Sequence, residues 1–293
     1  MDELPYEVKK KIIKSGSVIE LFEYEKGYWV GWPQIKRFKN KFEKERDRQR
    51  KELMQTKIRE DNVRRARQKI MRIMYSNPQL QTFLTLTFGS EVLDLKTSNQ
   101  FFDRFVKRMS YAQPDFQYMA VPEFQNKSKR VHYHLVTNYP IPEFKNDEER
   151  MAYERWFEKE HWKNGFVCFK QIDNSKNLGY YISKYLSKEM FDQRYFRKRK
   201  FFYSKDLNLP EVIDHAEEVD DFLSFFEPEA LELVRENEFY SHHCGQTKHN
   251  TYKITQMQNH DELEKYLLGL AQYNEEVKAE KKTQKPDIND ITF

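Results

Sequence analysis

The sequence predicts an α+β protein built on an antiparallel sheet flanked by helices. Between residues 81 and 172, strand-like and helix-like segments follow in the order strand, helix, two-strand hairpin, helix, strand, which is the split βαβ arrangement of ferredoxin-like sheets. Charged residues make up 33% of the 293 residues, and 23 Phe and 18 Tyr supply apolar bulk. This mixture is typical of a soluble globular protein that is long enough to bury a core.

The first part of the chain combines a hairpin with a basic helical region. Two apolar and aromatic runs, residues 17–22 and 28–32, flank Lys26-Gly27 and predict a small hairpin. Pro33 then opens a long helical stretch that ends near Tyr75, before a Ser-Asn-Pro break. Residues 36–72 hold sixteen basic and six acidic side chains, a net charge of +10. We therefore interpret residues 1–77 as a hairpin with a basic helical extension.

The end of this helical stretch has two different faces. Apolar residues recur at helical spacing at Val63, Ala66, Ile70 and Ile73. The charged residues that follow Asp61 are all cationic, namely Arg64, Arg65, Arg67, Lys69 and Arg72. We expect one face to pack on the sheet and the other to contact a phosphate backbone. The alternative is an exposed helix laced with opposite charges, as the acidic residues earlier in the stretch suggest.

Residues 78–210 hold the predicted sheet and its helices. Each segment combines apolar periodicity with turn residues at its ends. The expected elements are strand 81–88, helix 97–110, strands 116–125 and 131–138, helix 146–163 and strand 165–172, followed by a helix around residues 181–190.

The strand over 131–138 carries two histidines at alternate positions. Because side chains on a strand alternate between faces, His132 and His134 share one face while Tyr133 and Leu135 point to the other. Two neighbouring imidazoles can seat a divalent metal ion. A half-exposed strand that carries two histidines by chance is the alternative. A histidine-triad hydrolase is disfavoured, since Val136 occupies the position where that class needs a third His.

The helix after the last strand carries two tyrosines one turn apart. Tyr181 and Tyr185 share a face, and Lys184 and Lys188 lie on the adjoining stripe. A phenol can act as a nucleophile, and a nearby ammonium favours the phenolate or holds a phosphate. The alternative is an ordinary amphipathic helix with buried tyrosines.

In combination these motifs resemble the HUH superfamily of rolling-circle replication initiators and relaxases, especially phage and small-plasmid Rep proteins. Phe83-Leu84-Thr85-Leu86-Thr87-Phe88 resembles the first family motif, His132-Tyr133-His134 the second, and the helix with Tyr181 and Tyr185 the third. The resemblance covers roughly residues 59–210. It implies an antiparallel sheet of ferredoxin-like or RRM-like HUH endonuclease topology.

The resemblance also implies a site and a reaction. Mg²⁺ or Mn²⁺ is expected on His132, His134 and Glu123, and either tyrosine is expected to attack a DNA phosphate, with Lys184 steadying it. The product would be a 5′-phosphotyrosyl link and a free 3′-hydroxyl primer. Further contacts to single-stranded or hairpin origin DNA are expected from Lys188, Arg59, Arg64, Arg65, Arg67 and Arg130.

The third metal ligand depends on the hairpin register. A four-residue turn at residues 127–130 would set Glu123 across from His134, and a five-residue turn would set it across from Tyr133, on the wrong face. We expect the first arrangement, or a bulge at Pro122 that restores the face. If Glu123 faces away, Gln125 or water would complete the metal shell.

The chain beyond Pro210 has the opposite charge. Residues 206–293 contain eight basic and twenty acidic side chains, a net charge of −12. We interpret residues 211–293 as an acidic, mainly helical region with a loose tail. The sequence has neither an apolar stretch near eighteen residues nor an apolar leader, so we expect a protein without membrane contact, in the cytoplasm of a bacterial host.

Other functions remain open at this point. A relaxase or transposase would use the same chemistry, and a non-catalytic protein could bind single-stranded nucleic acid through the basic helix alone. The sequence lacks the Gly-x-x-x-x-Gly-Lys-Ser/Thr motif of ATP-driven motors. We therefore expect the host to supply a helicase and a DNA polymerase.

Overall fold

The computed structural model describes residues 5–31, 40–54, 60–92, 94–124, 130–171, 199–256 and 260–283. By internal contacts the chain forms two compact units, one of residues 37–210 and one that joins residues 1–36 to residues 211–293. The strands are β1 (Tyr6–Ser15), β2 (Val18–Val30), β3 (Thr82–Phe88), β4 (Tyr118–Phe124), β5 (Val131–Thr137), β6 (Gly165–Gln171), β7 (Phe202–Tyr203), β8 (Glu211–Ile213), β9 (Leu231–Ser241) and β10 (Gly245–Ile254). The α-helices are α1 (Lys41–Met54), α2 (Glu60–Tyr75), α3 (Leu95–Ala112), α4 (Asp147–Phe157), α5 (Ala216–Ser224) and α6 (His260–Thr283).

The unit of residues 37–210 contains an antiparallel five-stranded sheet in the order β6-β3-β5-β4-β7. The strands β3 to β6 and the helices α3 and α4 begin and end within two residues of the predicted bounds, with a π-helical turn at Glu158–Trp162 continuing α4. Asp94 starts α3 by accepting the amide hydrogen of Thr97, and Asn146 starts α4 by accepting that of Glu149. The predicted α+β class with an antiparallel sheet is confirmed.

The two faces of this sheet pack against different helices. On β3, Leu84 and Leu86 face α3 and α4 in the larger core, while Phe83 faces α2. The larger core also contains Phe102, Phe105, Tyr133, Phe157, Trp162 and Phe169. Burial of these large side chains removes much apolar surface from water, which stabilises this face of the sheet. The opposite face of the sheet carries the candidate site.

Carboxylates from α4 and its continuation close the outer edge of β6. Glu154 accepts the amide hydrogen of Phe169, and Glu158 accepts that of Val167, each at 2.9 Å. Arg150 pairs with Glu154, at 3.0 Å between Nη1 and Oε1, which compensates the buried carboxylate. Unpaired strand edges invite association, and these bonds satisfy this one.

The second unit is built on another antiparallel sheet, in the order β8-β1-β2-β10-β9. Its core contains Ile12, Ile19, Ile213, Val219, Phe222 and Leu263, from strands and from α5 and α6. The C-terminal region therefore contributes three strands as well as the expected helices. These strands were not predicted, because β8 and β10 pair with β1 and β2 at the start of the chain, and β9 pairs with β10.

The N-terminal hairpin turns at a different place from the predicted one. The turn lies at Gly16-Ser17, where Gly16 adopts a φ of 56° that favours glycine, and β2 continues past Lys26-Gly27 with a bulge at residues 24–27 in its pairing with β1. Pairing with β10 extends β2, since the Lys26 amide donates to the carbonyl of Cys244 at 2.8 Å. The prediction of a turn at Lys26-Gly27 was wrong.

The predicted helical stretch from Pro33 to Tyr75 contains the helices α1 and α2. Residues 32–39 and 55–59 lie outside the described part of the chain. None of the described helices is both long and apolar enough to cross a membrane.

Candidate active site

The middle strand of the first sheet, β5, carries the two histidines on the face opposite the larger core. His132 and His134 share one face, as predicted; this face is the α2 side, and His134 is 7% exposed. Tyr133 between them is fully buried on the other side, where its ring stacks on Phe102 with centroids 4.4 Å apart. Its hydroxyl donates to Asn99 Oδ1 at 2.6 Å. The alternation of β5 thus anchors one side of the strand in the core and presents both imidazoles on the other.

The strand β4 brings Glu123 to the same face. Glu123 is paired directly with His132, and its Oε2 contacts Nε2 of His134. The predicted register was wrong, since Glu123 pairs with His132 instead of His134, and the pairing from Phe124 to Tyr118 has no bulge at Pro122. Residues 125–130 separate the paired Phe124 and Val131, which shifts the register by two residues. A shift of two preserves the face, so the predicted proximity of Glu123 to the histidines is found.

The strand β3 approaches the histidines from the other side. Thr85 pairs with His134 and Thr87 with His132. Their hydroxyl oxygens lie 3.1 Å and 3.4 Å from the respective Nδ1 atoms. Both imidazoles therefore have their Nδ1 side toward β3, and His134 has its Nε2 side toward the carboxylate.

The surroundings of His132 favour its neutral form. Burial lowers the pKa of His132 below its ordinary value of 6.5, and the neighbouring His134 and Arg130 lower it further, against the opposing effect of Glu123. A neutral imidazole has a free lone pair on one nitrogen and can bind a metal. Among the residues that the structure describes, Nε2 of His132 is buried and has no hydrogen-bond partner, which is costly unless something binds there.

The donor set has the chemistry of a divalent-metal site. Imidazole nitrogens are ligands for divalent transition-metal ions, and a carboxylate oxygen suits Mg²⁺ or Mn²⁺, so this mixed set can hold a divalent ion with open positions for substrate. Within the described residues, no three His, Cys, Asp or Glu side chains are placed to hold an ion as they stand. The Nε2 atom of His132 and the converging oxygen and nitrogen of Glu123 and His134 nevertheless fit the ligands that such an ion needs.

The helix α2 lies against the same face of the sheet. Its apolar residues Val63, Ile70, Ile73 and Met74 pack on Phe83, Met119, Val121 and Val136. The predicted packing of this helix is confirmed. Arg64 and Arg65 are exposed and Arg67 is half-buried. Arg130 lies close enough to His132 to affect its pKa, which places another cation near the histidines.

The part of the chain that carries this site matches a known family. Residues 81–190 match the family model of the replication-associated protein ORF2. This replication-associated family match spans 110 of the 293 residues and runs from β3 through the two-tyrosine motif. It confirms the predicted resemblance to replication initiators and supports a role in starting replication. Neither the curated proteins nor the solved structures gave a match.

Several of the predicted site residues fall outside the described part of the chain. These are Tyr181, Lys184, Tyr185, Lys188, Arg59 and Gln125. Their roles therefore stay predictions.

No role for Thr85 or Thr87 was predicted from the sequence. A signal was present, because the Thr-x-Thr of β3 has the same two-residue spacing as the His-x-His of β5. Antiparallel neighbours with equal spacing can pair residue by residue on one face.

Proposed function

We propose that this protein initiates rolling-circle replication of a phage or plasmid by nicking one DNA strand at an origin and later rejoining the displaced strand. One observation carries the proposal. Two imidazoles and a carboxylate share the face of a sheet, within a segment that matches a replication-associated family.

His132, His134 and Glu123 would hold the metal ion, Mg²⁺ or Mn²⁺. When bound, such an ion neutralises charge on the scissile phosphate and orients it for in-line attack. The lowered pKa of His132 supports this role, since it keeps that imidazole neutral at the pH of a cell.

The sequence supplies the nucleophile. The phenol oxygen of Tyr181 or Tyr185 attacks phosphorus and loses its proton to solvent, while the bond from phosphorus to the 3′ oxygen breaks and that oxygen takes a proton, with Lys184 as the donor. The product is a 5′-phosphotyrosyl link and a 3′-hydroxyl, so the bond energy is retained. A second tyrosine allows one phenol to hold the old 5′ end while the other cuts the regenerated origin.

The substrate is single-stranded or hairpin DNA, because the backbone must reach the site without duplex constraints. The apolar side of α2 is packed on the sheet, which supports contact between phosphates and Arg64, Arg65 and Arg67. Arg130, which lies near the histidines, would be a further contact to the DNA phosphates. Arg59 and Lys188 are proposed as phosphate contacts from their places in the sequence.

The 3′-hydroxyl would prime a host DNA polymerase, and a host helicase would unwind the duplex. These partners place the protein in the cytoplasm of a bacterial host. A relaxase or transposase would use the same site on a different DNA.

The test is formation of a covalent adduct. Full-length protein is mixed with Mn²⁺ and labelled single-stranded oligonucleotides that tile the DNA carrying its gene, and the products are run on a denaturing gel. We expect a protein–DNA band that is lost in His132→Ala and in the double variant Tyr181→Phe, Tyr185→Phe. Tyr111→Phe and His243→Ala are matched controls, because both residues are exposed and Tyr111 is 93% exposed.

The outcomes separate an enzyme from a binding protein. An adduct that persists in the double tyrosine variant contradicts the proposed nucleophiles. A gel shift that weakens with salt, with no adduct from any oligonucleotide, would instead indicate a protein that only binds single strands.

A further inference from the structure

We infer that Thr85 and Thr87 are positioning residues, which hold His134 and His132 with their Nε2 atoms directed toward the metal ion. The inference rests on the proposed function and assigns a task to the threonines of the motif at residues 83–88.

The pairing of β3 with β5 places each threonine directly opposite one histidine. Thr85 Oγ1 lies 3.1 Å from Nδ1 of His134, and Thr87 Oγ1 lies 3.4 Å from Nδ1 of His132. Directly paired residues of an antiparallel sheet share a face, so both contacts follow from the register and not from chance rotamers. Of the other residues of the motif, Leu84, Leu86 and Phe88 are fully buried in the larger core, and Phe83 packs against α2.

The chemistry requires this arrangement. An imidazole that binds a metal through Nε2 needs its lone pair there, so its proton must sit on Nδ1 and needs an acceptor. The threonine hydroxyl oxygen is that acceptor, and the bond from Nδ1–H to Oγ1 also fixes the rotation of the ring. Partners of this kind typically change metal affinity by about 10- to 100-fold when they are removed.

A structural explanation competes with this one. Threonine is β-branched and suits a strand, so both residues could serve only as strand formers. Valine has the same shape and strand preference but lacks the hydroxyl, whereas serine keeps the hydroxyl and loses the methyl group. The two substitutions therefore distinguish positioning from strand formation.

The experiment measures Mn²⁺ affinity of the full-length protein by electron paramagnetic resonance, without DNA. We expect Thr85→Val to weaken Mn²⁺ binding by about 10- to 100-fold and Thr85→Ser to restore most of the affinity. Thr87→Val should have the smaller effect, because its contact is longer. Thr82→Val is the matched control, since Thr82 lies on the same strand and bonds to the carbonyl of Tyr139 instead.

Two results would overturn the inference: Val variants that bind Mn²⁺ as tightly as the parent, or a Ser variant as weak as the Val variant. Circular dichroism checks folding, and if Thr85→Val does not fold, the comparison of Thr85→Ser with Thr85→Ala takes its place. Unchanged Mn²⁺ affinity in His132→Ala and His134→Ala would instead remove the proposed metal site. Weaker Mn²⁺ binding in both His variants but not in the Val variants would contradict only the proposed role of the threonines.

Discussion

Removing the hydroxyl of Tyr133 should destabilise the protein while leaving its chemistry intact. Tyr133 lies between the two histidines but points into the larger core, where its hydroxyl lies 2.6 Å from Asn99 Oδ1 and 3.1 Å from Ser98 Oγ. Burial raises the pKa of Tyr133 well above its ordinary value, so the phenol stays neutral and keeps its proton to donate. Tyr133→Phe keeps the ring that stacks on Phe102 and removes only these polar contacts.

The expected magnitude follows from burial. Tyr133 and Ser98 are both fully buried, so a lost hydrogen bond also leaves a polar group without water. Such a loss costs about 1–3 kcal/mol. A central value of about 2 kcal/mol corresponds to a decrease of roughly 4–8 °C in Tm for a unit of this size.

The assay compares urea unfolding of the parent and of Tyr133→Phe, followed by tryptophan fluorescence. Tyr111→Phe, on an exposed side chain, should leave the midpoint unchanged. The double variant Tyr133→Phe, Ser98→Ala should lose less free energy of unfolding than the sum of the losses in the two single variants, because the two hydroxyls share one contact. An unchanged midpoint in Tyr133→Phe, or loss of Mn²⁺ binding at a temperature where it is folded, would refute the reasoning.

Three further predictions concern the histidines, the carboxylate and the basic helix. Glu123→Gln should weaken Mn²⁺ binding by about tenfold or more, the equivalent of ~1.4 kcal/mol, since an amide oxygen carries no charge. Titration of the variant with Mn²⁺ measures this loss of affinity. Burial lowers the pKa of both His132 and His161 below 6.5, so the unfolded chain binds more protons than the folded chain in this range. The free energy of unfolding should therefore decrease as the pH falls from about 7 to 5. A urea midpoint that does not change with pH would contradict this prediction. The double variant Arg64→Ala, Arg65→Ala should lower the slope of log affinity against log salt by about 1.4 for single-stranded DNA, measured by fluorescence anisotropy.

The placement of the histidines could be predicted because alternation along a strand is a local property. One buried tyrosine between two histidines settles which face each side chain takes. The apolar spacing of Val63, Ile70 and Ile73 likewise settled the packing of α2. Each of these inferences needs only one element and the knowledge that it has a core side.

The position of Glu123 along its strand could not be predicted in the same way. Alternation fixes the face of a residue but not its partner, which depends on how many residues the loop takes up. The pairing of Phe124 with Val131 leaves six residues between them, and the turn-forming Asn126 and Ser128 do not specify that length.

The second sheet was missed because the pairings that join its local hairpins are distant in sequence. β2 pairs with β10, more than 200 residues later, and β9 exposes charged and apolar residues on both sides, so it has no clear period of two. A short stretch of sequence carries no signal of such a distant partner. Lys26-Gly27 was therefore interpreted as a turn, although it lies within a strand.

The location of the histidines on the middle strand explains why both neighbours matter. An edge strand has one partner, whereas β5 has β3 on one side and β4 on the other. Each side supplies a different group: a hydroxyl at Nδ1 from β3, and a carboxylate at Nε2 of His134 from β4. A slip of one residue in either pairing would turn Thr85 or Glu123 into a core position, where its polar group would be buried without a partner. The larger core on the opposite face, which fixes the register of all three strands, is therefore a structural requirement of the site.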